Sequence, residues 1–395
     1  MQLSIQQPTQ QKVLSVESIR GWACFMVLLS HLSLTFYPYL HGFNGLAQAD
    51  TNPIQYFIHH SPFAFFFSGT AAVYVFFVLS GYILSKVALK SDNDPNKQKQ
   101  RILAMGIKRY PRLMIPSLVS CIIAYIGFAT LSSTSPQLGT WINNFADTPN
   151  LSLLGAIYNG AIDVFFFKGE SMYNPVLWTM KVELLGSFII YLLCLNRLTI
   201  QIPYLTGIFA VITLITIGLK IATPELGFGI ISFYGGYLFS IYGKQISFKL
   251  ALVTLLFGLY LAGAHSTSMS YWPINQVIGG YTYFLCNFAS GFFIVYGILF
   301  NEKFSNLFSG KLSVFMGKVS FSVYLIQMPI LTTFTIIAFN GIYDLVGTFN
   351  IAALITCVLT IILTYLLAII YYHAVDANGM KLSNKLAALF IKREK

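Results

Sequence analysis

An arginine and a histidine stand eleven residues apart in one apolar run, Glu17 to His31, with the sequence Glu-Ser-Ile-Arg-Gly-Trp-Ala-Cys-Phe-Met-Val-Leu-Leu-Ser-His. At about 100° per residue the separation is about three turns of helix. Both side chains then leave on nearly one face, about 16 Å apart along the axis. Ionisable groups in hydrocarbon are costly, face a bundle interior or a wet cavity, and mark function by default. On these residues alone two readings stand. Arg20 snorkels to lipid headgroups and His31 bonds a neighbouring helix, or the two form a functional pair.

Four further groups of residues could carry chemistry. Glu183, in Leu-Trp-Thr-Met-Lys-Val-Glu-Leu, lies about two turns inside its apolar run, at a depth similar to that of His31. A carboxylate beside an imidazole holds its tautomer and raises its basicity; pairing with Lys181 or another helix is the structural alternative. Arg109 and Arg112, in Lys108-Arg-Tyr-Pro-Arg112, would share a face at a helix mouth. There they make a two-guanidinium clamp suited to phosphate, or a positive-inside stop. Phe76-Phe-Val-Leu-Ser-Gly-Tyr82 offers, at Ser80-Gly81, a place for close backbone approach. In Ser320 to Pro329, Ser320, Tyr324 and Gln327 fall on one face, lining a cavity or bonding other helices. His41, His59, His60, His265 and His373 lie in or near loops with no ligand spacing, so no metal is expected. The five cysteines sit singly in apolar runs and read as small core residues.

These residues need a membrane bundle to position them. The 395-residue chain is 56% hydrophobic and 9% charged, far below the roughly one-quarter charged residues of soluble domains. The predicted fold is an all-α polytopic bundle of about ten transmembrane helices, over 14–39, 63–89, 113–133, 176–195, 203–221, 226–243, 248–265, 277–300, 314–339 and 350–373. The net charge of +11 concentrates in alternate loops, which puts both termini in the cytoplasm and argues against nucleic acid as the partner. Residues 1–13 are then a cytoplasmic tail, 14–373 the membrane domain, and 374–395 a basic tail on anionic lipid as an interfacial helix. The 134–175 stretch, rich in aromatics, is expected to fold over the external face.

Taken together, and in this order, the motifs resemble the acyltransferase-3 family of integral membrane acyltransferases. Glu17-Ser-Ile-Arg20-Gly with His31 is similar to its acidic-x-x-Arg-Gly start and Arg-x10-His motif. Phe76 to Tyr82 is similar to its Phe-Phe-x-x-Ser-Gly-Phe/Tyr motif, and Arg109-Tyr-Pro-Arg112 to its Arg-x-x-Arg. Leu177-Trp178 through Glu183 resembles its Leu-Trp-Ser-Leu-x-Val-Glu, and Ser320 to Pro329 its Ser-x-Ser-x-Tyr-Leu-x-His-x-Pro. Lys181 replaces a usually small residue, a single Glu183 stands where a pair is common, and Gln327 stands where many members have histidine. No SGNH-type hydrolase domain of the longer members is expected, so transfer is expected to fall to the membrane domain or a separate partner.

The resemblance implies transfer of an acyl group, usually acetyl from acetyl-CoA, to a hydroxyl of a surface glycan or lipid-linked saccharide in a bacterial inner membrane. Arg20, Arg109 and Arg112 are then expected to hold the phosphates of cytoplasmic acyl-CoA. His31 is the general base and Glu183 its orienting carboxylate, with a transient acyl-imidazole as an open alternative. Glu17, Ser80, Tyr82, Trp178, Lys181, Tyr324 and Gln327 are expected to line the substrate cavity. A transporter with an intramembrane His/Glu/Arg pathway is the rival reading; matching interrupted repeats, which would favour it, are lacking. Oligomeric state is open.

Overall fold

The computed structural model describes residues 10–42, 53–90, 95–146, 151–196, 223–265 and 267–390. Among them there is no strand, and seven helices are long and apolar enough to cross a membrane. The chain is an all-α polytopic bundle. Its longer helices are α1 (Gln10–Phe36), α2 (Gly69–Ala88), α3 (Pro95–Leu131), α4 (Trp178–Asn196), α5 (Pro224–Tyr242), α6 (Phe248–Ala262), α7 (Thr282–Leu299), α8 (Lys311–Ile330), α9 (Phe349–Tyr371) and α10 (Ala377–Phe390). The predicted segment 203–221 lies outside the described residues. The segment predicted over 248–265 is a helix of 15 residues, short of the ~20 a span needs.

Two helix crossings fix the centre of the bundle, and both are made by glycine. On α1 and α8, a Cβ added to Gly21 would stand 2.6 Å from the Gly317 nitrogen, and one added to Gly317 would stand 1.8 Å from the Glu17 carbonyl oxygen. On α2 and α5, a Cβ at Gly81 would meet the Phe233 carbonyl at 2.0 Å, and one at Gly236 the Val78 carbonyl at 2.1 Å. Apolar surface gains little from association in lipid, so such close backbone packing is what drives helices together there. Cys24 adds a tie from α1, donating to the Ser320 carbonyl at 3.1 Å.

One expectation needs correction, and two segments carry structure beyond what was expected of them. α3 does not begin near residue 113 but at Pro95, so it takes in the polar stretch expected to be loop and holds Pro111 and Pro116 inside it. The tail after 373 continues the last spanning helix. α9 passes through a π-helical turn, Tyr372–Asp376, directly into α10, and α10 packs on α3, with Gly379 against Ile115. Finally, the long stretch between α3 and α4 carries short helices of its own, Thr140–Ala146 and Leu153–Tyr158.

Candidate active site

α4 is pinned at its start. Asn174, fully buried, donates to Ser120 Oγ on α3 at 3.0 Å and to the Leu325 carbonyl on α8 at 2.7 Å. The Tyr324 hydroxyl of α8 donates to the Val176 carbonyl at 2.9 Å and meets Thr179 Oγ1 at 3.1 Å. The first turns of α4 are therefore held between α3 and α8, and their side chains divide between two cavities.

The smaller cavity, about 390 Å³, falls in the ~300–1,000 Å³ range of small-molecule sites. It is lined by Glu17 and Arg20 of α1, Phe76 and Ser80 of α2, Arg109 and Arg112 of α3, Thr179 and Glu183 of α4, Lys318, Ser320 and Tyr324 of α8, and Asp376. Arg20 Nη1 donates to Glu17 Oε1 at 3.4 Å. Arg109 Nη2 donates to Glu183 Oε2, and Ser80 Oγ donates to Glu183 Oε1 at 3.0 Å. The Arg109 Nε–H is buried and has no partner among the described residues. The cavity thus gathers four cations, two of them in contact with a carboxylate, around hydroxyls from three helices. That composition suits a polyanion.

His31 sits apart from this cluster. Its Nδ1 lies 3.4 Å from Gln327 Oε1, and its ring stacks on Trp141 with centroids 5.9 Å apart and planes 17° apart. Gln327 is fully buried, and its Nε2 donates to the Tyr324 carbonyl at 3.1 Å. A carbonyl accepts only, so the amide nitrogen must face Tyr324 and the amide oxygen must face His31. Nδ1 is then the protonated nitrogen and Nε2 carries the lone pair.

The larger cavity, about 1350 Å³, is lined among others by His41, Lys168, Tyr173, Trp178, Lys181, Glu225, His265 and Tyr283. Around it His41 Nε2 meets Ser33 Oγ at 2.8 Å, and His59 bridges the Leu40 carbonyl at 3.0 Å and Thr267 Oγ1 at 2.9 Å. Ring centroids of His265 lie 6.1 Å from His41 and 5.8 Å from His59. Burial pushes the His41 and His265 imidazoles down to about 3, with neighbouring histidines adding to the shift. Among the described residues no group of three His, Cys, Asp or Glu is placed to hold a metal.

The structure brings Glu17, Arg20, Ser80, Arg109, Arg112, Glu183 and Tyr324 together at the smaller cavity, and puts Trp178 and Lys181 on the larger. It corrects three assignments. Glu183 does not orient His31: its partners are Arg109 and Ser80. Arg109 lies about 21 Å along α3 from its start, within the helix instead of at its mouth, and there it meets the carboxylate. Tyr82 lines neither cavity; its buried ring packs against Phe300 at 6.2 Å and under Lys86. Gln327 is no cavity residue but the partner of His31. Sequence reasoning missed Trp141, Asp376 and Lys318. The last had a signal, as a lysine within an apolar spanning helix.

No curated protein and no solved structure matches the chain. A family model described as an acyltransferase domain matches residues 13–369, nearly its whole length, and takes in both cavities' walls apart from the last turn and α10. The chain belongs to the acyltransferase-3 family and is a multi-pass membrane acyltransferase.

Proposed function

We propose that the protein moves an acyl group, most simply acetyl, from acyl-CoA entering at the cytoplasmic end of the bundle to a hydroxyl of a surface glycan or lipid-linked saccharide. The observation that carries this reading is the smaller cavity, where Arg20, Arg109, Arg112 and Lys318 converge. Guanidinium groups recognise phosphate by paired donors, and Arg109 keeps a buried N–H unused among the described residues. The acyl arm of the donor extends from there along α1 towards His31. The larger cavity, with Trp178, Tyr173 and Tyr283 among its walls, offers ring faces to a sugar acceptor.

His31 serves as general base through Nε2, the nitrogen left free by the bond to Gln327. Nε2 takes the proton of the acceptor hydroxyl as its oxygen attacks the thioester carbonyl carbon. The carbon–sulfur bond then breaks, and the departing thiolate recovers that proton from the imidazolium. Glu183 takes no part in the proton transfer; it holds Arg109 in the donor cavity.

The test is transfer of label from radiolabelled acetyl-CoA in vesicles containing wild type or His31→Ala, with a surface-glycan extract as acceptor. Label reaching glycan only with wild type, both proteins being equally folded, supports the reading. Label transfer by the variant removes His31 from the mechanism. A wild type that leaves the donor untouched but moves glycan is a transporter.

A further inference from the structure

The family match ends at residue 369, yet the smaller cavity is also walled by Tyr372, Asp376 and Met380. The π-helical turn Tyr372–Asp376 delivers them. Such a turn admits an extra residue into the helix, re-aims the side chains that follow, and is frequent at functional sites. Here the Tyr372 ring lies 5.3 Å from Lys318 Nζ. Asp376 is 7% exposed and within electrostatic reach of Arg112 and Arg20.

Asp376 differs from the other two carboxylates of the cavity. Glu17 contacts Arg20 and Glu183 contacts Arg109. Among the described residues Asp376 makes no contact ion pair, so it does not fix the geometry of Arg112; it acts on that guanidinium through its field alone. At the low effective dielectric of a half-buried site, a carboxylate so placed opposes any second anion that arrives at the same cation.

We propose that Asp376 is a specificity-determining residue of the acyl-donor site, a resident anion that weakens the hold of Arg112 on the phosphates of the nucleotide. It rests on the donor reading above. A site without this charge would hold free coenzyme A as a tight product. With it, phosphate affinity is kept moderate and the spent donor leaves.

The experiment is equilibrium binding of coenzyme A to the detergent-purified full chain at fixed ionic strength, for wild type, Asp376→Asn, Asp376→Ser and Asp376→Glu. Both neutral variants are expected to bind more tightly by about tenfold or more, the scale of one opposing charge within about 10 Å at an effective dielectric near 20. Asp376→Glu is expected to stay within about twofold of wild type, since it keeps the charge. Neutral variants that bind equally or more weakly overturn the proposal, as does an equal gain in Asp376→Glu. Failure of both neutral variants to fold makes the carboxylate structural and overturns it too. A wild type that binds no coenzyme A overturns the donor reading with it, whereas unchanged affinity across the series removes this inference alone.

Discussion

The Gln327 side chain bridges His31 and the backbone of its own helix, taking the Nδ1–H of the imidazole at 3.4 Å and giving an N–H to the Tyr324 carbonyl at 3.1 Å. An amide does here what a carboxylate usually does in base activation: it selects a tautomer. It does so without placing a charge in the core, where an unpaired carboxylate would be costly. The imidazole gains orientation but little added basicity.

Loss of the base itself is the plainest test. His31→Ala is expected to lower the acyl-transfer rate about 10²–10⁴-fold, the usual worth of a positioned general base. Binding of coenzyme A should be retained, because the smaller cavity does not include His31. Parallel rate and binding measurements on one preparation check both halves.

Gln327 should act on rate through pH. Gln327→Glu puts a carboxylate beside the ring and favours the imidazolium. The base must be neutral to accept a proton, so the acidic limb of the pH–rate profile is expected to move to higher pH. Gln327→Leu leaves the limb in place and lowers the plateau, about tenfold or more, as the tautomer is released. Profiles that coincide for all three proteins would deny Gln327 a positioning role.

Arg109 and Glu183 are a mostly buried pair, with side chains 11% and 13% exposed. Removing one partner from such a pair strands a charge and costs about 3–5 kcal/mol. Thermal unfolding in detergent should show Glu183→Ala and Arg109→Ala each less stable than the double variant Arg109→Ala/Glu183→Ala. Additive losses would mean the contact is weak.

Gly317→Ala is expected to force α1 from α8, since the new methyl group would stand 1.8 Å from a Glu17 backbone oxygen that cannot move alone. Overpacking of this kind costs about 1–3 kcal/mol or more. Because the same two helices carry His31 and Gln327, activity should fall more steeply than stability. Comparing the melting point with the transfer rate separates the two.

Acid should loosen the region around the larger cavity. His41 and His265 stay neutral in the fold down to about pH 3, whereas in the unfolded chain they take up protons near 6.5. The unfolded state therefore binds more protons between those values. Stability is full above about pH 6.5 and falls as pH drops towards 3, by about 1.4 kcal/mol per pH unit for each histidine. His265→Leu, which also removes a buried Nε2 with no partner among the described residues, should flatten that slope by one histidine's share.

The sequence and the structure agree where the information is local. The eleven-residue spacing of Arg20 and His31 places both on α1, and the Ser80-Gly81 step falls where α2 touches α5. What escaped was set by partners distant in sequence. Residues 95–101 are polar and read as a loop, yet α3 runs through them, with Gln98 donating to the Ala88 carbonyl and Arg101 to the Val87 and Lys90 carbonyls at the end of α2. Arg109, within α3 instead of at its mouth, is the partner of Glu183 in place of the expected His31. Asp376 escaped for the same reason: after the last apolar run it read as tail, and only the π turn brings it into a cavity wall. Lys318 sits in plain view within an apolar helix and was open to recognition.

The opening turns of α4 are a party wall. Trp178, Lys181 and Val182 look into one compartment, and Thr179, Met180 and Glu183 into the other. A helix advances about 100° with each residue, so one inserted residue before Thr179 would turn every later side chain to a different neighbour. The stretch can accept many changes of residue and almost none of length: the count of residues between Asn174, which anchors the wall, and Glu183 is what keeps the two compartments distinct.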